Sequence, residues 1–441
     1  MGPIAVKTIQ LFLSLSILIV LHEMGHFIPA KLFKTRVEKF FLFFDVKYAL
    51  FKKKIGETVY GIGWLPLGGY VKISGMIDES MDKEQMAQEP KPWEFRSKPA
   101  WQRLIIMLGG VTVNLLLGFL IYIMVLFVWG SNELKSEDLP YGLAAAEQIE
   151  PYGFRDGDNI ISVDGKPLDF VLDINRILLV RGADEVEVRH LDGKTEVLQL
   201  PDTLGTYLFK SGAQFPLTPR FASVIDSLEP GSAAEAAGIL PGDKIVSIDG
   251  QSAGYWDEFT DAVRSNEGDP MQVVIDRDET GLDTLMITPN ESKVIGVYNS
   301  PELGVDYTKR EYSLAEAIPA GITFGYHTLT DYVRSMKFIF TKKGATEVGG
   351  FGTIAKLFPD TWNWQGFWLS TALISIILAF MNILPIPALD GGHVMFLLYE
   401  MISGRKPSEK FLEYAQMVGF FLLIALLLYA NGNDIYRAIF E

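Results

Sequence analysis

Cysteine is absent from the 441 residues of this chain. A disulfide framework and a thiolate site are therefore excluded. Basic residues are in the minority, because 39 Lys and Arg stand against 54 Asp and Glu and give a net charge of −15. Nucleic-acid binding needs a basic face, so we do not predict it. Histidine is also scarce, with five residues, and candidates for imidazole chemistry are correspondingly few.

Apolar residues, by contrast, make up 49% of the sequence, and the mean hydropathy is positive. A membrane-spanning helix needs roughly 20 apolar residues, and four runs approach that length. They lie at about 4–33, 102–129, 366–387 and 411–430. A signal peptide in residues 1–25 is the alternative for the first run, but few basic residues precede it and no Ala-x-Ala cleavage site follows.

The flanking charges predict how these spans are oriented. Lys and Arg are concentrated at 31–103 and 405–410, and such segments usually stay in the cytoplasm. With four spans, both termini and the long acidic region between the second and third spans face the other side. This predicts a multi-pass membrane protein whose termini and acidic soluble region face outward.

A cluster of ionisable residues interrupts the first apolar run. His22, Glu23 and His26 form the pattern H-E-x-x-H. On a helix the two histidines lie one turn apart on one face, so two ring nitrogens can bind one Zn²⁺. Glu23 lies beside them and can act as a general base toward water. Because ionisable groups in a membrane span are costly and usually functional, this pattern predicts a zinc site rather than a polar helix face without a metal.

A catalytic zinc site needs a third protein ligand and an open position. The candidates are His190, His327, Asp390 and His393. Asp390 is favoured because an unpaired carboxylate at the end of an apolar run is costly. It follows Pro385 and Pro387, which break the helix and expose backbone groups. His393 is the rival ligand in the same stretch, and a helix-end cap is the alternative role for Asp390.

Two stretches together resemble a known family. "HEMGH" in the first run and "NILPIPALDGG" in the third are similar to the two signatures of the site-2 protease family of intramembrane zinc metalloproteases, and the order of segments is similar to the bacterial RseP type. The resemblance implies that His22, His26 and Asp390 bind one Zn²⁺ per molecule and that Glu23 is the general base. It also implies that Asn382 lines the active site and helps to hold the substrate. A protein of this type is expected in the bacterial inner membrane, with its soluble region and both termini on the periplasmic side.

The segment 36–75 is predicted to form β-hairpins, because it is rich in β-branched and aromatic residues with Gly and Pro between them. The resemblance implies a membrane-reentrant β element whose edge strand pairs with an extended substrate. The stretch "LGGYVKISG" is similar to that edge, and the expected substrate-binding residues are Gly68, Gly69, Tyr70 and Val71. An amphipathic hairpin on the membrane surface is the alternative. Residues 76–100 are charged and are predicted to form a mobile cytoplasmic loop.

The acidic region contains an internal repeat. "GFRDGDNIISVDGKPL" (153–168) matches "GILPGDKIVSIDGQSA" (238–253) at an offset of 85 residues. Repeats of about this length indicate duplicated domains, and the Gly-Asp turn, strand and Asp-Gly turn of each copy are typical of PDZ domains. PDZ domains bind an added strand or the C-terminus of a polypeptide. The first copy has bulkier residues than the second, and a size filter or ligand-free spacers are the alternatives to peptide binding.

Residues 313–341 carry apolar side chains at helical spacing. These residues are Leu329, Tyr332, Val333, Met336 and Phe340. The pattern predicts a helix that lies on the membrane surface or packs on the repeat pair.

The predicted fold is a membrane α-helical protein with four transmembrane helices, a membrane-reentrant β element and two tandem extracytoplasmic PDZ domains of α+β type. The predicted segments are helix 1 with H-E-x-x-H (1–34), the β segment and cytoplasmic loop (35–100), helix 2 (101–130), PDZ domain 1 (131–215), PDZ domain 2 (216–308), an amphipathic linker (309–365), helix 3 with N-x-x-P-x-P-x-L-D-G (366–395), and a loop with helix 4 (396–441).

The predicted function is regulated intramembrane proteolysis by a zinc metalloendopeptidase. The expected substrates are single-span membrane proteins, either anti-sigma-factor-like proteins or signal-peptide remnants, cut near the cytoplasmic side. The other expected partners are the lipid bilayer and peptide C-termini at the PDZ domains. A non-catalytic PDZ membrane adaptor for envelope quality control is one alternative, although an adaptor has no need of three metal ligands and a glutamate. A metal carrier is another, although it would need polar residues in more than one span.

Overall fold

The computed structural model describes residues 2–66, 68–76, 89–277, 281–299 and 307–440. The protein forms two compact units, the first from residues 1–130 and 311–441 and the second from residues 131–310. About half of the predicted cytoplasmic loop 76–100, residues 77–88, lies outside the described residues.

The helices are α1 (Pro3–Leu32), α2 (Ala100–Trp129), α3 (Asp173–Arg176), α4 (Leu204–Ser211), α5 (Ala233–Ala237), α6 (Trp256–Ser265), α7 (Leu314–Ile339), α8 (Lys342–Glu347), α9 (Phe351–Ala355), α10 (Trp364–Ile383), α11 (Asp390–Ser403) and α12 (Glu409–Phe440). The strands of the first unit are β1 (Val37–Leu42), β2 (Phe44–Ile55), β3 (Thr58–Leu65) and β4 (Tyr70–Ile73). Those of the second unit are β5 (Ser131–Glu133), β6 (Leu143–Ala145), β7 (Asn159–Val163), β8 (Glu185–Arg189), β9 (Thr195–Gln199), β10 (Leu217–Pro219), β11 (Ile225–Leu228), β12 (Lys244–Ile248), β13 (Gln251–Ser252), β14 (Met271–Arg277), β15 (Gly281–Ile287), β16 (Val297–Asn299) and β17 (Thr308–Arg310).

Four of the described helices, α1, α2, α10 and α12, are long and apolar enough to cross a membrane. The prediction of four such helices is confirmed. The third ends at Ile383, before the predicted limits, because the backbone then reaches Pro385 and Pro387, which cannot continue a helix. The fourth is longer than its apolar run, since its polar last turns remain helical up to Phe440.

Helix α7 packs against α2 within the first unit. Two glycines of α7 allow the close approach, because a Cβ on Gly321 would collide with Ile123 and one on Gly325 would collide with the ring of Phe119. The rings of Tyr122 and Phe324 meet edge to face at 4.5 Å. The structure confirms the predicted helix and shows that α2 packs against it, a contact that the sequence did not indicate.

Helices α1 and α2 meet backbone to backbone. A Cβ on Gly25 would collide with the carbonyl of Gly109, and a Cβ on Gly109 would collide with the carbonyl of Gly25. Small residues allow such close approach between helices in a membrane. The contact brings the histidine-bearing turn of α1 directly against α2.

The four strands of the first unit form one sheet in the order β2-β3-β1-β4. Strands β2 and β3 form an antiparallel hairpin, but β1 runs parallel to β3, so the segment is not a simple series of hairpins. Strand β4 pairs antiparallel with β1 and lies at the edge of the sheet.

The loop between α10 and α11 is tightly held. Ala388 has a φ of 80°, which a residue with a Cβ adopts reluctantly. Its N–H donates to Oε1 of Gln416 on α12 at 3.2 Å. A Cβ on Gly419, also on α12, would collide with the carbonyl of Pro387. Helix α12 therefore fixes the path of the backbone just before Asp390.

The second unit contains two similar substructures, each with its own apolar core. Strands β7 and β12 begin the repeats at the predicted offset, and each ends in an Asp-Gly turn in which Asp164 and Asp249 have φ near 49° and 48°. A buried aspartate precedes each strand: Asp158 accepts from the Arg155 N–H and Asp243 accepts from the Leu240 N–H, both at 2.8 Å. The repeat in the sequence is thus a repeat in the structure.

Candidate metal centre

The two histidines of α1 present their Nε2 atoms to the same point. Nε2 of His22 and Nε2 of His26 lie 3.2 Å apart, and the rings are perpendicular. Both imidazoles are largely buried. The one-turn spacing on a continuous helix produces this convergence.

Asp390 joins them from the other end of the sequence. It is the first residue of α11, directly after the Pro-containing loop. Its Oδ2 lies 3.4 Å from His22 Nε2 and 3.3 Å from His26 Nε2. This oxygen is buried and has no hydrogen-bond partner among the described residues, so it is available to a ligand.

The donor set fits a zinc ion. A tetrahedral ion with bonds of about 2.0–2.1 Å holds its ligand atoms about 3.3 Å apart, and the three separations agree with that value. Within the part of the protein that the structure describes, these are the one group of three possible metal ligands whose donor atoms lie within 4.8 Å of one another. The site has room for a further ligand, because it opens into a cavity.

The rival ligands lie elsewhere. Nδ1 of His190 bonds to Asp158 and Nε2 bonds to Glu196, both within the second unit. His327 lies on α7, and His393 lines a separate cavity of the first unit with Arg103 and Glu400. None of the three belongs to the cluster of donor atoms.

Helix α2 supplies the outer contacts of both imidazoles. Nδ1 of His26 lies 2.8 Å from the carbonyl oxygen of Ile106. A carbonyl only accepts, so Nδ1 carries the proton and Nε2 keeps its lone pair for a metal. Nδ1 of His22 lies 3.1 Å from the side-chain amide of Asn114, and Asn114 is 1% exposed.

The orientation of the Asn114 amide follows from the metal. When Nε2 of His22 binds zinc, its Nδ1 must carry the proton, and only the amide oxygen can accept it. A half-turn of the amide exchanges its oxygen and nitrogen. Pointing Oδ1 at His22 also gives a partner to that oxygen, which otherwise is buried and has none among the described atoms.

Space at the imidazoles depends on a glycine of α2. A Cβ on Gly110 would collide with the rings of both His22 and His26. This glycine follows Gly109, which makes the backbone contact with α1. The Gly-Gly pair thus sets both the helix spacing and the room for the metal ligands.

One cavity of about 370 Å³ contains every residue that the sequence predicted for the site. Those residues are His22, Glu23, His26, Gly68, Gly69, Tyr70, Val71, Asn382 and Asp390. The side chain of Glu23 lies beside the segment that leads into β4, because a Cβ on Gly69 would come within 3.7 Å of its Cγ. Glu23 and Val71 line the same cavity.

The side chain of Tyr70 is held within the sheet. Its ring stacks between Phe41 and Phe44 at centroid distances of 5.6 and 5.9 Å. Its hydroxyl donates to Oδ1 of Asp45 at 2.6 Å and accepts from Lys39 at 3.1 Å. Tyr70 thus anchors strand β4 at the border of the cavity.

Two residues of this region were missed at the sequence level, Asn114 and Gln416. Asn114 lies in the middle of an apolar run and Gln416 near the start of one, where a polar group is costly unless it has a partner. This cost could have indicated that each amide has a hydrogen-bond partner, but it does not identify that partner.

Comparison with protein families matches residues 10–426 to the family described as Peptidase family M50. Together with the three-ligand site among apolar helices, this match defines a membrane-embedded zinc metalloprotease. The chain belongs to peptidase family M50.

Similar proteins come from several bacteria. The chain is 30% identical over 453 residues to Protease RseP of Yersinia pestis, with 96% of this chain and 97% of that protein covered. It is 28% identical over 469 residues to the regulator of sigma-E protease RseP of Escherichia coli, with the same coverage. A protein of Xylella fastidiosa that carries the name zinc metalloprotease is 29% identical over 461 residues, covering 99% of this chain and 100% of its own.

These relatives confirm the class of enzyme that the sequence predicted. The protein is a site-2 zinc metalloprotease of regulated intramembrane proteolysis, and it acts on membrane proteins in the bacterial inner membrane. The alternative of an adaptor without protease activity is thereby set aside.

Proposed function

We propose that His22, His26 and Asp390 hold the catalytic zinc and that Glu23 is the general base. The observation that carries this assignment is the set of separations of 3.2, 3.3 and 3.4 Å among the three donor atoms. Glu23 opens onto the same cavity, within reach of a substrate bound there.

When bound, the zinc ion polarises the scissile carbonyl as a Lewis acid. Glu23 accepts the proton of the attacking water and returns it to the leaving amide nitrogen. The contacts of His26 with Ile106 and of His22 with Asn114 hold each imidazole in the tautomer whose Nε2 is free. Burial among apolar helices keeps bulk water away from these groups.

The substrate is proposed to bind as an added strand along Gly68–Val71. A transmembrane helix hides its peptide bonds in its own hydrogen bonds, so it must unwind before cleavage, and pairing with a strand edge holds it extended. Strand β4 lies at the edge of its sheet and borders the cavity. Gly69 has no room for a side chain, because a Cβ there would meet Ile19 and the carbonyl of Phe41. Asn382 at the end of α10 lines the same cavity and is proposed to hold the substrate backbone.

The proposed substrates are single-span membrane proteins. The name of the Escherichia relative connects that protein with regulation of sigma E, which supports an anti-sigma-factor-like substrate for this protein. Signal-peptide remnants also contain a single apolar helix and are proposed as a second substrate class.

The proposed arrangement in the membrane follows the charges. The basic segments 31–103 and 405–410 lie on the cytoplasmic side, near the active site, and both termini and the second unit lie in the periplasm. The sheet β1–β4 is proposed to re-enter the membrane. Its exposed apolar side chains support this, and they include Tyr48, Leu50, Phe51 and Trp64.

The second unit is proposed to be two tandem PDZ domains, at about 131–215 and 216–308. Two separate cores and a repeated buried aspartate support two domains of one fold. Their proposed role is to admit substrates by size and to bind peptide ends.

The test uses purified full-length protein in detergent and a single-span model substrate. Wild type should cut the substrate and contain one zinc per molecule, and a chelator should abolish cutting. Glu23→Gln should keep zinc but lose at least a factor of about 10²–10⁴ in rate, the usual contribution of a general base. The matched control is Glu137→Gln, which removes an exposed carboxylate of the second unit and should cut like wild type.

A Glu23→Gln variant that cuts as fast as wild type would refute the assignment of the base. A wild-type protein that cuts but contains no zinc would refute the ligand set. A protein that cuts a soluble loop faster than the transmembrane segment would refute the proposed substrate class.

A further inference from the structure

A second cavity of the first unit lies where three helices begin or end. Its volume is about 190 Å³, and its lining includes residues from the first turn of α2, from α11 and from the start of α12. Among the described residues, it has no lining residue in common with the catalytic cavity. In the proposed arrangement these helix ends lie at the cytoplasmic border of the membrane, at the depth of the lipid head groups.

Arg103 presents unused hydrogen-bond donors to this cavity. Its Nε donates to the carbonyl of Lys98 at 2.9 Å, and its Nη2 donates to Oε1 of Glu400 at 2.6 Å. Nη1 has no partner among the described residues. Arg103 is 8% exposed and lines the cavity, and Nη1 is not fully enclosed by protein atoms. Because a guanidinium is always charged and pairs readily with phosphate or carboxylate oxygens, this atom indicates an anionic group in the ligand.

Glu400 and Gln416 also have unused polar atoms. Oε2 of Glu400 accepts no hydrogen bond from the described residues, and this side chain is 13% exposed. Nε2 of Gln416 donates none to them, although Gln416 is 5% exposed. Both residues line the cavity. Polar groups that are nearly buried cost free energy when they lack partners, and a ligand in the cavity can provide those partners.

The rim of the cavity carries both signs of charge. Lys406 is exposed, and its Nζ makes a long hydrogen bond of 3.4 Å to the carbonyl of Arg96. The carboxylate of Glu409 is 59% exposed and lies 3.8 Å from the guanidinium of Arg96. A purely anionic ligand would lie against Glu400 and Glu409, and a purely cationic one against Arg103 and Lys406. A ligand with a cationic and an anionic group close together therefore fits this lining better than either.

The remaining wall is apolar and leads toward the surface that faces lipid. Phe396, Leu397 and Leu412 line the cavity. The ring of Phe396 contacts that of Phe411 edge to face at 5.7 Å, and Phe411 is 54% exposed. Since α12 is long and apolar enough to cross a membrane, an acyl chain that leaves the cavity along this wall passes directly into the bilayer.

We propose that this cavity binds the head group of a phospholipid that carries a primary amine, of the phosphatidylethanolamine class. The phosphate accepts hydrogen bonds from Arg103, Gln416 and Lys406. The ammonium group donates to Glu400 and Glu409, and the acyl chains follow the apolar wall into the membrane. A choline head group has no N–H to donate, so it fits the carboxylates less well. This inference goes beyond the proposed proteolytic function and uses from it only the orientation in the membrane.

Gln416 connects this site with the metal centre. Its Oε1 accepts from the Ala388 N–H at 3.2 Å, two residues before Asp390 in the sequence. A phosphate bonded to Nε2 restricts rotation of the same side chain. The bound lipid therefore stabilises the loop before Asp390, and the Ala388 amide should exchange with solvent more slowly when the lipid is present.

The test is native mass spectrometry of the full-length protein in detergent, with added phosphatidylethanolamine, phosphatidylcholine or phosphatidylglycerol of identical acyl chains. Wild type should retain one phosphatidylethanolamine per molecule. It should bind this lipid about fivefold or more tighter than the other two, because neither offers a charged N–H donor to the carboxylates. Glycerophosphoethanolamine, which has no acyl chains, should not compete at equal concentration. Hydrogen exchange of residues 386–390 in the same samples reports on the loop.

Variants locate the site. Leu412→Trp fills the cavity and should lose most of the retained lipid. Lys406→Gln should weaken binding by about threefold or more, because the phosphate loses one charged partner near the surface. Lys410→Gln is the matched control and should bind like wild type, because Lys410 is exposed on the first turn of α12 and does not line the cavity.

Equal retention of the three lipids, equal competition by the compound without acyl chains, or full retention by Leu412→Trp would each overturn the proposal. Identical binding by the Lys406 and Lys410 variants would do the same, as would exchange of 386–390 that phosphatidylethanolamine leaves unchanged. None of these measurements depends on cleavage, so failure of the zinc-site assignment and failure of this assignment are separate results.

Discussion

The side-chain amide of Asn114 lies 3.1 Å from Nδ1 of His22, on the side of the imidazole opposite the metal-facing Nε2. The backbone carbonyl of Asn114 accepts a hydrogen bond from the hydroxyl of Ser375 at 2.7 Å. Three apolar helices, α1, α2 and α10, are therefore joined at one metal ligand. The orientation of the His22 ring depends on all three.

Asn114→Leu should weaken zinc binding by about 10–100-fold, the usual cost of losing an outer partner of a ligating histidine. Leucine keeps the volume but offers no acceptor to the Nδ1 proton. Competition with a zinc chelator measures the affinity. Asn114→Asp keeps an acceptor oxygen and should retain more zinc than the leucine variant, and equal affinity of the leucine variant and wild type would contradict the role of this contact.

Asp390→Ala should leave the protein without stoichiometric zinc after dialysis and without activity, because two histidines are an incomplete ligand set. Metal analysis and cleavage of the model substrate check this. The control is Asp360→Ala, whose side chain is 66% exposed and pairs with Lys7. Retention of one zinc per molecule by the Asp390 variant would show that another residue completes the site.

Gln416→Leu removes the acceptor for the Ala388 N–H. A buried donor left unpaired costs about 1–3 kcal/mol, and the loop can avoid that cost by leaving its positive-φ conformation, which displaces Asp390. We expect kcat/KM and zinc affinity to fall by roughly tenfold together. Gln102→Leu on the first turn of α2 makes the same chemical change away from the loop and should have no such effect. A variant that loses stability but keeps zinc affinity and kcat/KM would mean that Gln416 only supports the fold.

Tyr70→Phe keeps the stack with Phe41 and Phe44 but removes the hydroxyl that bonds to Asp45. The edge strand then loses one hydrogen bond that holds it in place, at a cost of about 1 kcal/mol in stability. We expect a several-fold rise in KM for the membrane substrate, with the zinc content unchanged. A double-mutant cycle with Asp45→Asn should show coupling between the two side chains, and additive effects would place the role of the hydroxyl elsewhere.

His190 gives the first repeat a dependence on pH. Burial on its own would lower the pKa of His190, but the hydrogen bonds to Asp158 and Glu196 outweigh it and raise the pKa above the ordinary 6.5. The folded pKa is thus higher than the unfolded one. The stabilisation is fully present below pH 6.5 and is lost as the pH rises through the raised pKa.

The measurement is the protection of β7–β9 against hydrogen exchange, corrected for the intrinsic effect of pH. Protection should fall as the pH rises above 6.5, and His190→Gln should remove that change. The second repeat is the internal control, because Asp243 there pairs with Arg277 at 2.7 Å, and arginine stays charged throughout this range. A parallel fall in both repeats would contradict the prediction.

Much of the site could be predicted from the sequence, because the features that indicate it are each visible within a short stretch of residues. The spacing of His22 and His26 fixes their geometry on any helix, and the cost of a carboxylate in an apolar run drew attention to Asp390. Asn114 and Gln416 could not be assigned, since their partners are far away in the sequence and depend on how the helices pack.

The same distinction applies to the fold. Hydropathy identified the four apolar helices, and the helical spacing of apolar residues identified α7. That spacing does not indicate which part of the protein packs against the helix. The parallel pairing of β1 with β3 could likewise not be predicted. The pattern of apolar residues indicates where strands are, but not the order in which they pair in the sheet. In the second unit, the hydrogen bonds of the Asn175 side chain to the backbone of Leu217 could likewise not be predicted, because the two residues are distant in the sequence.

The proposed metal ligands are far apart in the sequence, since His22 and His26 precede Asp390 by most of the printed residues. A ribosome therefore delivers the first helix into the bilayer long before the aspartate has been synthesised. During that interval the nascent polypeptide holds two imidazoles but no complete active centre. Synthesis itself delays hydrolysis, and a prematurely terminated product that ends before α11 is inert, however well its earlier segments have folded.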